Sequence, residues 1–136
     1  MKGFRPGEAI EAFKRYVEAF EGLSPRAVVP FYNEPALLVS PQGIVALPTS
    51  ADVEKLFDGL MSDLRGQDYA KSEFPRLAEL PLNDDLAIVT GVGVWRKKTG
   101  EELRRFGATY TFCRTPQSWK IVVAVIHDPE ASLSPQ

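Results

Sequence analysis

The chain divides into a helical first half and a stranded second half, and no other feature limits its possible folds as much. Up to about Gln67 the apolar residues recur at helical spacing, with one short extended break. From Tyr69 to His127 they fall in long β runs cut only by turn signals. The last three runs, Asp85–Lys97, Leu103–Arg114 and Trp119–His127, are consecutive with short turns between them, which predicts an antiparallel meander. A long curved sheet wrapped over a few N-terminal helices is an α+β cone with a hollow centre. Such a shape implies a pocket.

Ala9, Ile10, Phe13, Tyr16, Val17 and Phe20 form one apolar helical face, and the opposite face pairs Glu11 with Arg15 and Lys14 with Glu18. Gly22 reads as the stop. Ser24 and Pro25 read as N-cap and first residue of a short second helix, which Pro30 ends near Val29. Ala36–Ser40 and Ile44–Leu47 flank Pro41-Gln42-Gly43 and predict a small hairpin. Thr49 or Ser50 caps a third helix with a buried stripe of Val53, Leu56, Phe57, Leu60, Met61 and Leu64, ended by Gly66. The whole chain, 1–136, is expected to be one domain, with 129–136 a frayed tail.

Composition excludes several classes of function. At 136 residues, 44% hydrophobic and 25% charged, the chain can build a core without a metal or disulfide staple. A net charge of −2 argues against nucleic acid as a partner. The one basic cluster is Arg96, Lys97, Lys98, Arg104 and Arg105, broken by Glu101 and Glu102. It reads as a solvated hairpin end rather than an anion site. Cys113 is the only cysteine, so no intrachain disulfide forms, and a reducing, cytoplasmic location is expected. The opening stretch lacks the apolar core of a signal peptide, and no run approaches the ~20 apolar residues of a membrane span. One His and one Cys make no ordinary zinc site, and neither a GxGxxG, a P-loop nor a GxSxG occurs; no metal or cofactor is expected.

Strand alternation assigns faces. Phe106, Ala108, Tyr110 and Phe112 share one face, and Arg105, Gly107, Thr109, Thr111 and Cys113 the other. In the last run Trp119, Ile121, Val123, Val125 and His127 should share a face, opposite Lys120, Val122, Ala124 and Ile126. Both faces are then largely apolar. A sheet with helices on one side needs a second cover, so a homodimer through the outer face is expected.

The order helix, helix, short hairpin, helix, long meander resembles the NTF2-like superfamily, the cone-shaped α+β fold that includes SnoaL-type cyclases and ketosteroid isomerases. The residues that carry the resemblance are Phe13–Phe20, Val39-Ser40-Pro41-Gln42-Gly43 and Ser118-Trp119-Lys120-Ile121-Val122. It implies a small, mostly apolar ligand in the cone, with isomerase-, cyclase- or hydrolase-like acid–base chemistry as one reading. The alternative is a non-catalytic binding or dimerisation module. Ketosteroid isomerases use a tyrosine, a carboxylate base and a protonated acid. Tyr16, in an Arg-Tyr-Val context, matches the tyrosine; Ser40 stands at the base position and Ala108 at the acid position. With one of three groups kept, steroid-type isomerisation is not implied. Glu73 and Glu79 on the first long strand are six apart, which places them on one face about 20 Å apart unless a bulge intervenes, for example at Pro75.

The candidate catalytic residues are therefore His127, as a base at the pocket mouth, and Tyr16, as an oxyanion donor. The candidate pocket lining is Phe13, Phe20, Tyr32, Phe57, Met61, Tyr110 and Trp119.

Overall fold

The helical periodicity near the N-terminus becomes α1, Glu8–Glu21, in a computed structural model that describes residues 6–131. Its buried stripe is Ala9, Ala12, Phe13, Tyr16 and Phe20. The helix stops differently from the sequence reading. Gly22 stays right-handed at φ −76, and Leu23 takes the left-handed position at φ 53 while its N–H donates to the Phe20 carbonyl at 2.9 Å. Leu23 is buried, and its packing holds a conformation a non-glycine residue seldom adopts. The short α2, Pro25–Val28, starts at Ser24, whose hydroxyl makes no capping bond. Helix α3, Ser50–Gly66, starts on a full capping box: Thr49 accepts from the Asp52 N–H, and the Asp52 carboxylate accepts from the Thr49 N–H at 3.0 Å. Val53, Phe57, Met61 and Leu64 form its buried face.

The strands are β1 (Tyr32–Ser40), β2 (Gly43–Leu47), β3 (Tyr69–Asn83), β4 (Leu86–Lys97), β5 (Glu102–Arg114) and β6 (Trp119–His127). They form one sheet in the order β2-β1-β6-β5-β4-β3. All neighbours are antiparallel except β1 and β6, which run parallel and join the hairpin to the meander. The helices pack into the concave face.

Two bulges decide which side chains face inward. In β3, Glu73 pairs with Val94 but Arg76 pairs with Val92, so an extra residue falls at Phe74-Pro75. Gly91 of β4 accepts this bulge, because a Cβ there would overlap the Arg76 carbonyl. The expectation that Glu73 and Glu79 share a face is thereby overturned. Glu73 stays on the outer side, against Arg96 at 2.7 Å and Lys71 at 3.1 Å. Glu79 turns inward and accepts the N–H groups of Gly7 and Ile10 at 2.8 and 3.0 Å, capping the start of α1.

The second bulge lies in β6. Thr111 pairs with Val123 and Phe112 with Ile121, which leaves Val122 extra. Trp119 and Ile121 therefore face inward with Ala124 and Ile126, while Val123, Val125 and His127 face outward. The expected shared face of Trp119, Ile121, Val123, Val125 and His127 is corrected at this residue. The tail reading is corrected in part: Pro129–Ala131 forms a 3-10 turn against β5, and 132–136 lie outside the described residues. No helix among the described residues is long and apolar enough to cross a membrane.

Candidate functional site

A cavity of about 290 Å³ opens on the concave face. Its wall is aromatic. Phe13 meets Phe74 and Tyr110 edge-on at 5.0 and 5.3 Å, and Trp95 stacks on Phe20 at 5.8 Å and meets Phe106 at 5.0 Å. Leu38 and Val45 of the β1–β2 hairpin, Leu56 and Leu60 of α3, and Ile126 of β6 complete the apolar surface. Space persists here partly because of Gly93. A Cβ at that position would strike the rings of Phe74 and Phe106, which meet edge-on over the glycine.

Three buried phenols converge inside. The hydroxyls of Tyr16 on α1 and Tyr32 on β1 are 2.9 Å apart, and the Tyr110 hydroxyl on β5 lies within interaction range of both. Burial pushes all three away from ionisation. Tyr16 and Tyr32 rise well above the ordinary phenol value, chiefly by burial; the neighbouring phenols add to this at Tyr16, while at Tyr32 Tyr110 adds to it and the hydrogen bond with Tyr16 acts the other way. Tyr110 is pushed up to about 12 by burial, while the hydroxyls of Tyr16 and Tyr32 act to lower it. The cluster therefore stays protonated at neutral pH. It carries three O–H groups; linked in a chain, the hydroxyls use two of these among themselves and leave one donor for an oxygen placed in the cavity.

The structure parts the two candidate catalytic residues. Tyr16 lines the cavity. His127 does not: the β6 bulge places it on the outer face, over Gly107, where a Cβ on the glycine would collide with the imidazole. There its Nε2 is 2.7 Å from the Thr109 hydroxyl, which is 2.8 Å from that of Thr90, and its Nδ1 is 2.8 Å from the Asp128 carbonyl. The Asp128 carbonyl can only accept, so Nδ1 carries the proton in that contact.

Phe13, Phe20, Tyr32, Phe57 and Tyr110 line the cavity; Met61 and Trp119 are buried outside it. Met61 sits on the buried face of α3. Trp119 lies under the Arg114 guanidinium at 5.1 Å, with Glu8 within 3.5 Å of both side chains. Arg114 Nε is buried without a well-directed hydrogen bond, although Asp85 Oδ1 is 3.4 Å away. Ser40 lines the cavity, and Ala108 is buried on the same concave face. Among the described residues, the lining contains no carboxylate or imidazole, and no cluster of His, Cys, Asp and Glu is suited to a metal ion.

Sequence reading missed Phe74, Trp95, Arg104 and Phe106 as lining residues. For Arg104 and Phe106 the signal was present, since both share the parity of Ala108 and Tyr110. Phe74 faces inward at the same parity as Ser72, and the bulge beside it reverses the alternation beyond.

The geometry can be set beside known proteins. No curated protein matches the chain. Among solved structures, an NTF2-like protein with a cystatin-like fold from Novosphingobium aromaticivorans superposes with TM-score 0.75 at 19% identity, covering 91% of this chain and 81% of that one. Aln2 from a Streptomyces species superposes with TM-score 0.74 at 12% identity, covering 90% and 89%. A ketosteroid isomerase-like protein from Erwinia carotovora atroseptica gives TM-score 0.68 at 14% identity over 94% and 95%. At these identities the likeness establishes the fold alone. The family model described as NTF2-like protein (DUF6841) matches residues 7–129, nearly the whole described cone, and this chain belongs to that family.

Proposed function

We propose that this protein binds a small, mostly apolar molecule in its cone and holds one of the ligand's oxygens against Tyr16, Tyr32 and Tyr110. The observation that carries the reading is the coincidence of an open aromatic cavity with three protonated phenols at one point inside it. A cavity filled by its own side chains would bury those hydroxyls with no further use. In low-dielectric surroundings such donors also stabilise a charge that develops on a carbonyl oxygen, so Tyr16 suits the oxyanion side of isomerase-, cyclase- or hydrolase-like chemistry. The Erwinia neighbour, described as ketosteroid isomerase-like, fits this direction. No base accompanies the phenols in the described lining, so binding with carbonyl polarisation is the function the geometry supports best.

Hexanophenone, a neutral alkyl phenyl ketone, is the test probe, titrated while tryptophan fluorescence is followed. Saturable binding is expected, weakened about fivefold in Tyr16→Phe, the weight of one neutral hydrogen bond. No saturation, or equal binding by both proteins, overturns the reading.

The outer sheet face supports a second element of the proposal, a homodimer. Leu37 pairs with Val123 and Val39 with Val125 across β1 and β6, giving a continuous apolar strip that is only half-buried in one chain.

A further inference from the structure

We infer that the ligand of this cone carries an anionic head, a carboxylate, which Arg104 receives at the rim. This rests on the small-ligand reading and names the substrate class: an apolar molecule with an oxygen near one end and a single carboxylate at the other.

Arg104 is the only charged side chain among the described residues lining the cavity. Its surroundings explain why it is left available. Two carboxylates of the adjoining hairpin and strand are engaged by other cations: Glu102 with Arg105 at 2.9 Å, and Glu73 with Arg96 and Lys71. Arg104 has the opposite parity to Arg105 and pairs in register with Trp95, so it turns inward. Among the described residues it makes no ion pair. Its one contact is with the indole of Trp95, 5.9 Å from the ring centre, which orients the guanidinium over the aromatic wall and leaves its N–H fork unused. Gln42, on the β1–β2 turn, lines the same cavity and adds a polar group at the exposed rim. The basic hairpin is thus a solvated end on its outer side only.

The spacing sets the size of the molecule. Arg104 and Tyr110 lie on one strand, six residues and so roughly 20 Å apart along it. Both side chains reach into the space between, and the remaining gap suits a carboxylate and a carbonyl separated by a chain of several carbons. Phenols inside and a cation at the rim make the cavity polar at two points and greasy between them. A neutral hydrocarbon would leave both unused.

The experiment compares benzoylhexanoate with its primary amide, which differ only in the head, by calorimetric titration against the wild type, Arg104→Gln and the surface control Arg15→Gln. In the wild type and in Arg15→Gln the carboxylate should bind about fivefold more tightly than the amide, the upper range for an exposed ion pair, and added salt should narrow the gap. In Arg104→Gln the gap should close through a loss of carboxylate affinity, and saturable binding of the amide shows that the cone remains intact. Equal affinities for acid and amide in the wild type, or a gap that survives in Arg104→Gln, overturn the anion site and leave the cone reading standing. If neither probe saturates, the cone reading falls and this inference falls with it.

Discussion

Tyr16 shows how much one residue can carry. Helical spacing places it on the buried face of α1, and the fold brings it to Tyr32 and Tyr110, which lie far apart in the chain. Replacing it with Phe leaves the Tyr32 hydroxyl buried beside one partner fewer. Tyr16→Phe should therefore cost about 1–2 kcal/mol of stability, measured by urea unfolding. Gly107 makes the complementary case. Any side chain there meets the His127 ring and the Asp128 carbonyl. Gly107→Ala should cost about 1–3 kcal/mol, and adding His127→Ala should recover part of the loss, since the ring is one of the two obstructions. Full additivity of the two substitutions in denaturation would show that the ring is not in the way. The parity of Tyr16 and Arg104 was legible in the sequence; the convergence of three phenols was not, because nothing local links residues 16, 32 and 110.

At the scale of elements, helix starts follow local rules where the partners are close in sequence. Thr49 and Asp52 form their capping box within one turn, and that signal is readable directly. Helix α1 is capped differently: its first N–H groups are satisfied by Glu79, from β3. Glu79→Ala should cost about 1–2 kcal/mol and speed amide exchange at the first turn of α1, with Glu79→Gln losing less because one acceptor oxygen remains. Unchanged exchange at Gly7 and Ile10 would show that the cap is idle. The strands teach the same lesson. Alternation placed β5 correctly from Arg105 to Cys113. It failed in β3 and β6 because a single extra residue reverses every side chain beyond it. Pro75 announces the first bulge, since a proline cannot donate to a ladder. Val122 gives no such sign, and so His127 looked like a pocket residue when read from the sequence.

At the scale of the molecule, the four tyrosines link stability to pH. Tyr69 and Tyr110 are pushed up to about 12, and Tyr16 and Tyr32 are raised well above the ordinary value of 10.0. A folded pKa above the unfolded one means the unfolded chain releases these protons first. The contribution of these tyrosines is complete below about pH 10 and is lost as pH rises through the folded values. Phenolate absorbance should stay flat as the pH passes the ordinary phenol value, then rise together with the loss of circular dichroism. An early rise in the folded protein would contradict the burial of the phenols. The outer sheet face makes a separate prediction: light scattering at micromolar concentration should give a dimer, and Val125→Glu should give a monomer. A wild-type monomer would remove the dimer from the proposal.

The sequence by itself determined the helical half, the stranded half, the meander and the cone, because periodicity and turn chemistry act between neighbouring residues. It also determined that Tyr16 would face inward. Tertiary structure alone decided the rest. The bulges set which way β3 and β6 face, and the closure of β1 on β6 brought Tyr32 to Tyr16. Pairing of Glu102 and Glu73 with other cations left Arg104 without an ion pair at the rim, among the described residues. Each of these depends on register between distant strands, where a shift of one residue reverses the face, and local patterning carries no information about that register.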